Sequence, residues 1–120
     1  MSATVMIVDD AVFMRSILRG IMKDKGFTVV AEAASGIEAM KNLRTCTPDI
    51  ITLDIILPDA NGIDLLESIL EVCPQAKIVV CSSIGQEQIV KKALDLGAKA
   101  FIQKPFTPEK VIEVLQSLET

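Results

Sequence analysis

Five side chains able to do chemistry stand directly behind short apolar runs. Met6-Ile7-Val8 ends at Asp9 and Asp10, Ile50-Ile51-Thr52-Leu53 ends at Asp54, and Ala100-Phe101-Ile102-Gln103 ends at Lys104. Ser82 follows the run Lys77–Cys81 in the same way. A carboxylate at the tip of a buried strand is a costly place for charge unless something compensates it. If these runs lie parallel in one sheet, three carboxylates, an ammonium and a hydroxyl converge at one edge. Crowded carboxylates are tolerable around a divalent cation, and Mg²⁺ suits a site of few carboxylates, waters and phosphate oxygens. Lys104 adds a point charge. At about 4 Å and an effective dielectric of about 20, one such ion pair is worth roughly 4 kcal/mol before desolvation. Ser82 offers a hydroxyl to a phosphoryl oxygen. Together these groups describe a site that makes an aspartyl phosphate. Each residue alone has a plainer reading: Asp10 as a helix cap, Lys104-Pro105 as a turn, Ser82 as a loop hydroxyl. Their common position at the ends of successive strands is much harder to explain in that way.

The elements that must position them follow from periodicity. Val5–Val8 is too short for a helix and reads as a strand. Met14, Ile17, Leu18, Ile21 and Met22 then make one helical stripe that Gly26 ends. Phe27–Ala33 reads as a second strand, and Ile37, Met40 and Leu43 stripe a second helix after the Ser35-Gly36 turn. Ile50–Asp54 is the third strand. Gly62 opens a third helix with Leu66, Ile69, Leu70 and Cys73 on one face, stopped by Pro74. Lys77–Cys81 is the fourth strand, followed by a helix striped by Ile89, Val90, Ala93 and Leu94 and ended by Gly97. Ala100–Gln103 is the fifth. Thr107-Pro108 opens the last helix with a hydroxyl cap and a first-turn proline, and Val111, Val114, Leu115 and Leu118 form its buried side. Five apolar strands alternating with five helices predict an α/β, doubly wound parallel sheet covered on both faces. Ligands of such sheets sit beyond the carboxyl ends of the strands, where the strand order reverses.

Composition removes whole classes of function. The 120 residues predict a single domain, 1–120, and half are apolar, which excludes disorder. There is no His, so Ser-His or Cys-His nucleophilic pairs and His-bound metals are excluded, and any metal should be hard and oxygen-bound. A net charge of −4, no Trp, no Tyr and four Phe argue against nucleic-acid binding. No run is long enough to span a bilayer and no signal segment opens the chain, which predicts a cytoplasmic protein that binds no membrane. Cys46, Cys73 and Cys81 read as reduced, mostly packed thiols.

With these residues in view, the sequence resembles the response-regulator receiver domain over its whole length. Val8-Asp9-Asp10, Asp54 with Pro58 and Gly62, Ser82, and Lys104-Pro105-Phe106 carry the resemblance. Ile7–Arg15 and Val80-Cys81-Ser82 place it nearest the single-domain chemotaxis type. The resemblance implies a flavodoxin-like sheet of order 2-1-3-4-5. It implies Asp54 as phosphoacceptor, taking a phosphoryl group from a phosphohistidine on a histidine kinase. Asp10, Asp54 and the backbone carbonyl of Ile56 would bind Mg²⁺ directly, and Asp9 through a water. Lys104 would pair with the phosphoryl group, Ser82 would close over it, and Phe101 would be the aromatic switch. It also implies a cis Lys104-Pro105 bond, a flagellar motor switch protein as target, a monomer, and signalling rather than enzymatic turnover of a substrate.

Departures from the family pattern carry expectations of their own. Leu57 replaces a frequent Met, a mild packing change. Ser82 replaces the commoner Thr, and Phe101 the commoner Tyr, so the switch there must rest on packing. Ile56 and Ile84 are apolar where polar residues can help position an attacking water, which predicts slow self-hydrolysis and a signal that depends on a phosphatase. The chain's end shortly after Leu118 favours a stand-alone regulator over the receiver of another regulator, such as a DNA-binding one. A phosphotransfer enzyme on the same fold fits less well. A haloacid-dehalogenase-type phosphatase would want Asp where Ile56 stands. A flavodoxin would want a phosphate loop where Asp9-Asp10 stand, and nucleotide-binding glycine motifs are absent.

Overall fold

The protein is described by a computed structural model covering residues 3–83 and 85–119. Five strands alternate with five helices: β1 Thr4–Val8, α1 Val12–Asp24, β2 Thr28–Ala33, α2 Gly36–Asn42, β3 Ile50–Leu53, α3 Gly62–Val72, β4 Lys77–Ser82, α4 Glu87–Leu96, β5 Ala100–Gln103 and α5 Pro108–Glu119. The strands form one parallel sheet in the order β2-β1-β3-β4-β5. None of the described helices is long and apolar enough to cross a membrane.

Successive side chains of a strand point to opposite faces, and the two faces carry two cores. Met6, Val8, Ile51, Leu53, Ile78 and Val80 pack beneath α2, α3 and α4. Val5, Ile7, Ile50, Val79, Cys81 and Ile102 pack against Leu18, Ile21 and Met22 of α1 and Val111 and Leu115 of α5. A strand covered on both sides can be apolar at nearly every position, which is why β1, β3 and β4 read as apolar runs interrupted only at Thr4, Thr52, Lys77 and Ser82.

Local chemistry sets the helix ends. Ser35 Oγ accepts from the Glu38 amide at 3.1 Å, Asn61 Oδ1 from the Ile63 amide at 2.9 Å, and Thr107 Oγ1 from the Lys110 amide at 3.2 Å. α1 and α4 end near Gly26 and Gly97, whose φ values of 83° and 124° suit only glycine.

Three helical stripes differ from the periodic reading. Ile37 is 74 % exposed, because α2 faces the sheet with Gly36, Ala39 and Leu43 instead. Small residues are needed on that side: a Cβ at Gly36 would lie 2.8 Å from Ala60 Cβ. In α4 only Ala93 is fully buried, Ile89 and Leu96 are half-buried, and Leu94 is largely exposed. Leu65 of α3, outside the expected stripe, is buried.

Candidate functional site at the carboxyl edge of the sheet

The sheet register brings the predicted residues together. Val8 pairs with Leu53, so Asp9 and Asp54 are the next positions on adjacent strands, and the Asp54 amide donates to the Val8 carbonyl at 2.9 Å. Leu53 pairs with Val80, and Ser82 pairs with Gln103. Lys104 therefore emerges one residue beyond Ser82, and its amide donates to the Ser82 carbonyl at 2.9 Å. The Lys104-Pro105 peptide is cis.

Lys104 Nζ reaches across the top of the sheet, donating to Asp9 Oδ2 at 2.7 Å and Asp54 Oδ2 at 3.0 Å. The other carboxylate oxygens take backbone amides: Asp9 Oδ1 accepts from Ala11 at 2.9 Å and Asp54 Oδ1 from Ile56 at 2.9 Å. Asp9 and Asp54 are buried, being 1 % and 7 % exposed. Burial alone would push the Lys104 ammonium towards neutrality, but its bonds to Asp9 and Asp54 outweigh that and raise its pKa. Under the same edge lies Cys81, whose thiol burial pushes up to about 12, Lys104 working against the shift and the two acids with it.

Asp10 is exposed and does not cap α1, whose first residues have no side-chain cap; its carboxylate has no hydrogen-bond partner among the described residues. Asp9, Asp10 and Asp54 each offer a carboxylate oxygen within 4.8 Å of the others. Among the described residues Lys104 is the one ammonium paired with these acids, so three carboxylates outnumber it in a partly buried setting. The donors are all hard oxygens. The cluster therefore fits a hard divalent cation by charge and by donor type.

Ser82 is fully buried. Val80 pairs with Phe101, and paired residues of parallel strands share a face, so Ser82 and Phe101 are diagonal neighbours above α4. Phe101 is half-buried against the core on that side. Ile56 is 46 % exposed beside Asp54, Leu57 is buried, and Ile84 lies outside the described residues.

The response regulator receiver domain pattern matches residues 5–116. This chain is a member of that family. Among similar receivers, the chemotaxis protein CheY of Thermotoga maritima is 46 % identical over 118 residues, covering 98 % of both chains. CheY of Bacillus subtilis is 42 % identical over 115 residues, covering 96 % of both. Among solved structures, a CheX-CheY-BeF3-Mg²⁺ complex from Borrelia burgdorferi superposes with a TM-score of 0.94 at 38 % identity, covering 98 % of this chain and 90 % of that one. The receiver is thus of the CheY-like kind, a class of signalling proteins, with the strand order expected of it.

Two features of this receiver had no local signal in the sequence. Asp59 reaches back across the molecule to accept from the amides of Gly36 at 2.8 Å and Ile37 at 3.0 Å, which holds its carboxyl below the usual range. Arg15 donates to the Asp9 carbonyl at 2.6 Å and Glu32 lies beside it. Each pairing spans residues that share no sequence period. Thr52, the polar exception in its strand, is buried with its hydroxyl unpaired among the described residues.

Proposed function

We propose that this chain is a phosphorylation-activated chemotaxis regulator that takes a phosphoryl group on Asp54. The observation carrying this reading is the convergence of Asp54, Asp9, Asp10 and Lys104 on one edge of the sheet, with Asp9 and Asp54 buried. Receiver domains bind Mg²⁺ at an acidic pocket. Here Asp10, Asp54 and the Ile56 carbonyl would hold it directly, and Asp9 through a water. Bound Mg²⁺ offsets negative charge on phosphoryl oxygens. That a CheY relative has been solved with Mg²⁺ and BeF3, a phosphoryl mimic, supports this assignment.

The chemistry is a phosphoryl transfer from a phosphohistidine of a histidine kinase. An Asp54 carboxylate oxygen attacks phosphorus; the O–P bond forms as the N–P bond breaks, and the imidazole leaves with the electron pair. Lys104, already bonded to Asp54, pairs with the phosphoryl oxygens, and the Ser82 hydroxyl donates to one of them. The added group carries about −1.5 to −2 charges, judged by other phosphorylated side chains. Ser82 moving towards it leaves room for Phe101, which packs inward and resets the surface of α4, β5 and α5. Moving that equilibrium from 1:99 to 99:1 needs about 5.5 kcal/mol, so target binding supplies part of it. The target is the flagellar motor switch protein, and a phosphatase ends the signal. The protein acts in the cytoplasm as a monomer of one domain.

Incubation with a small phosphodonor and Mg²⁺ tests this reading by mass spectrometry. One added phosphoryl group is expected, absent in Asp54→Asn. Incorporation that survives in Asp54→Asn would refute the assignment.

A further inference from the structure

We infer that Arg15 is a positioning residue for the metal-binding acids, acting through the backbone of Asp9; this rests on the proposed Mg²⁺ site. The Arg15 Nη1 donates to the Asp9 carbonyl at 2.6 Å, although Arg15 lies six residues further on, in the first turns of α1. Its Nε stands 3.5 Å from Glu32 Oε1, and Arg19 Nη1 bonds Glu32 Oε2 at 2.6 Å. Glu32 is fixed in turn, since its carbonyl accepts from Asn42 Nδ2 at 3.0 Å. A chain of bonds therefore runs from edge strand β2 through Glu32 and Arg15 to the turn that carries Asp9 and Asp10.

The carbonyl of Asp9 and the amide of Asp10 belong to one planar peptide unit. A bond that fixes this carbonyl also fixes the direction in which Asp10 leaves the backbone. Asp9 has other anchors: its amide donates to the Ala33 carbonyl at 2.9 Å, and its carboxylate takes the Ala11 amide and Lys104. Asp10 has none of its own among the described residues, so the orientation of its carboxylate depends on the peptide that Arg15 holds. Glu32 also has an electrostatic part. It stands against both guanidiniums, so Arg15 can bond beside the acids with much of its charge neutralised.

Positioning and charge predict opposite signs. By charge alone, removing a cation near the acids tightens Mg²⁺ binding. By positioning, the loss of the bond frees the Asp9–Asp10 peptide and weakens it. Mg²⁺ titration of the full chain, stripped of metal and followed by amide NMR shifts, separates the two. Arg15→Met is expected to raise the Mg²⁺ Kd about tenfold, within the usual range for residues that orient metal ligands. Arg15→Lys keeps the charge but lacks the planar fork, and is expected to raise it only about threefold. An unchanged or lower Kd in Arg15→Met overturns the inference, as does a lowered unfolding midpoint with no change in Kd. Should Arg15→Met fail to fold, Arg15→Lys decides alone: charge predicts no change, so an unchanged Kd overturns the inference and a rise supports it. Absence of saturable Mg²⁺ binding by the wild type would overturn the proposed site itself, and this inference with it.

Discussion

The Lys104 ammonium lies 3.0 Å from Asp54 Oδ2, an oxygen whose twin is already held by the Ile56 amide. The same ammonium bonds Asp9, so one lysine holds two buried carboxylates in place. Lys104→Ala leaves both acids facing each other without a counter-charge. Removing one partner of a buried pair costs about 3–5 kcal/mol, but the Lys104 side chain keeps 15 % of its surface in solvent, so a loss at the low end, about 3 kcal/mol, is expected here. Mg²⁺ can take over the neutralisation. Thermal melts of Lys104→Ala should therefore start lower in chelator and gain more from Mg²⁺ than the wild type does; equal gains would refute this.

Alkaline pH should destabilise the protein through Cys81. Its native thiol keeps a proton up to about 12, whereas an unfolded thiol loses it near 9.0. Between those values the unfolded state binds fewer protons, so stability falls as pH rises, by at most about 1.4 kcal/mol per pH unit from this group. Lys104, raised above 10.5, gives stability that is complete below that pH and fades above it, a fall of the same sign. Urea unfolding between pH 8 and pH 10 should show a shallower decline in Cys81→Ala than in the wild type.

Gly62→Ala should be poorly tolerated for a backbone reason. A Cβ there would stand 2.1 Å from Ile55 Cα, an atom that cannot rotate away. The Gly62 amide also donates to the Ile55 carbonyl at 3.1 Å, directly beside Asp54. A loss of about 3 kcal/mol is expected in denaturant unfolding. A loss below about 1 kcal/mol would mean that the β3–α3 turn can give way.

Thr52→Val should stabilise. The Thr52 hydroxyl is buried with no partner among the described residues, and a valine methyl fills the same space. A gain of about 1 kcal/mol, or a few degrees in Tm, is expected from differential scanning calorimetry. A fall in Tm would mean that the hydroxyl has a partner.

Ile56→Asn should shorten the lifetime of the phosphorylated protein. Ile56 is half-exposed beside Asp54 and offers an incoming water no hydrogen bond from its side chain. An amide there could hold the water in line, and loss of label about threefold faster is expected, a modest share of what general positioning can give. An unchanged rate would remove Ile56 from the account of slow hydrolysis.

The alternation of strands and helices was legible because sheet burial on both faces leaves apolar runs that no solvent-exposed segment would carry. The convergence of Asp9, Asp10, Asp54 and Lys104 was legible because all four follow such runs, and parallel strands end together. Ile37 and Leu94 misled because periodicity counts apolar residues without weighing size, whereas α2 and α4 approach the sheet through Gly36, Ala39 and Ala93. The Arg15–Glu32 pair and the grip of Asp59 on α2 were invisible for another reason. Each joins residues from different βα units, and only the folded register says which will meet.

The thin seating of α4 has an energetic consequence. A helix with a lone alanine fully buried loses little when it lifts or rolls, so its detachment should lie far below the free energy of global unfolding. Amide exchange should be faster along 87–96 than along α3, which buries Leu65, Leu66 and Ile69, and slow in β1 and β3. A modification at Asp54 worth only a few kcal/mol could then re-dock this one helix while the sheet beneath it stays still.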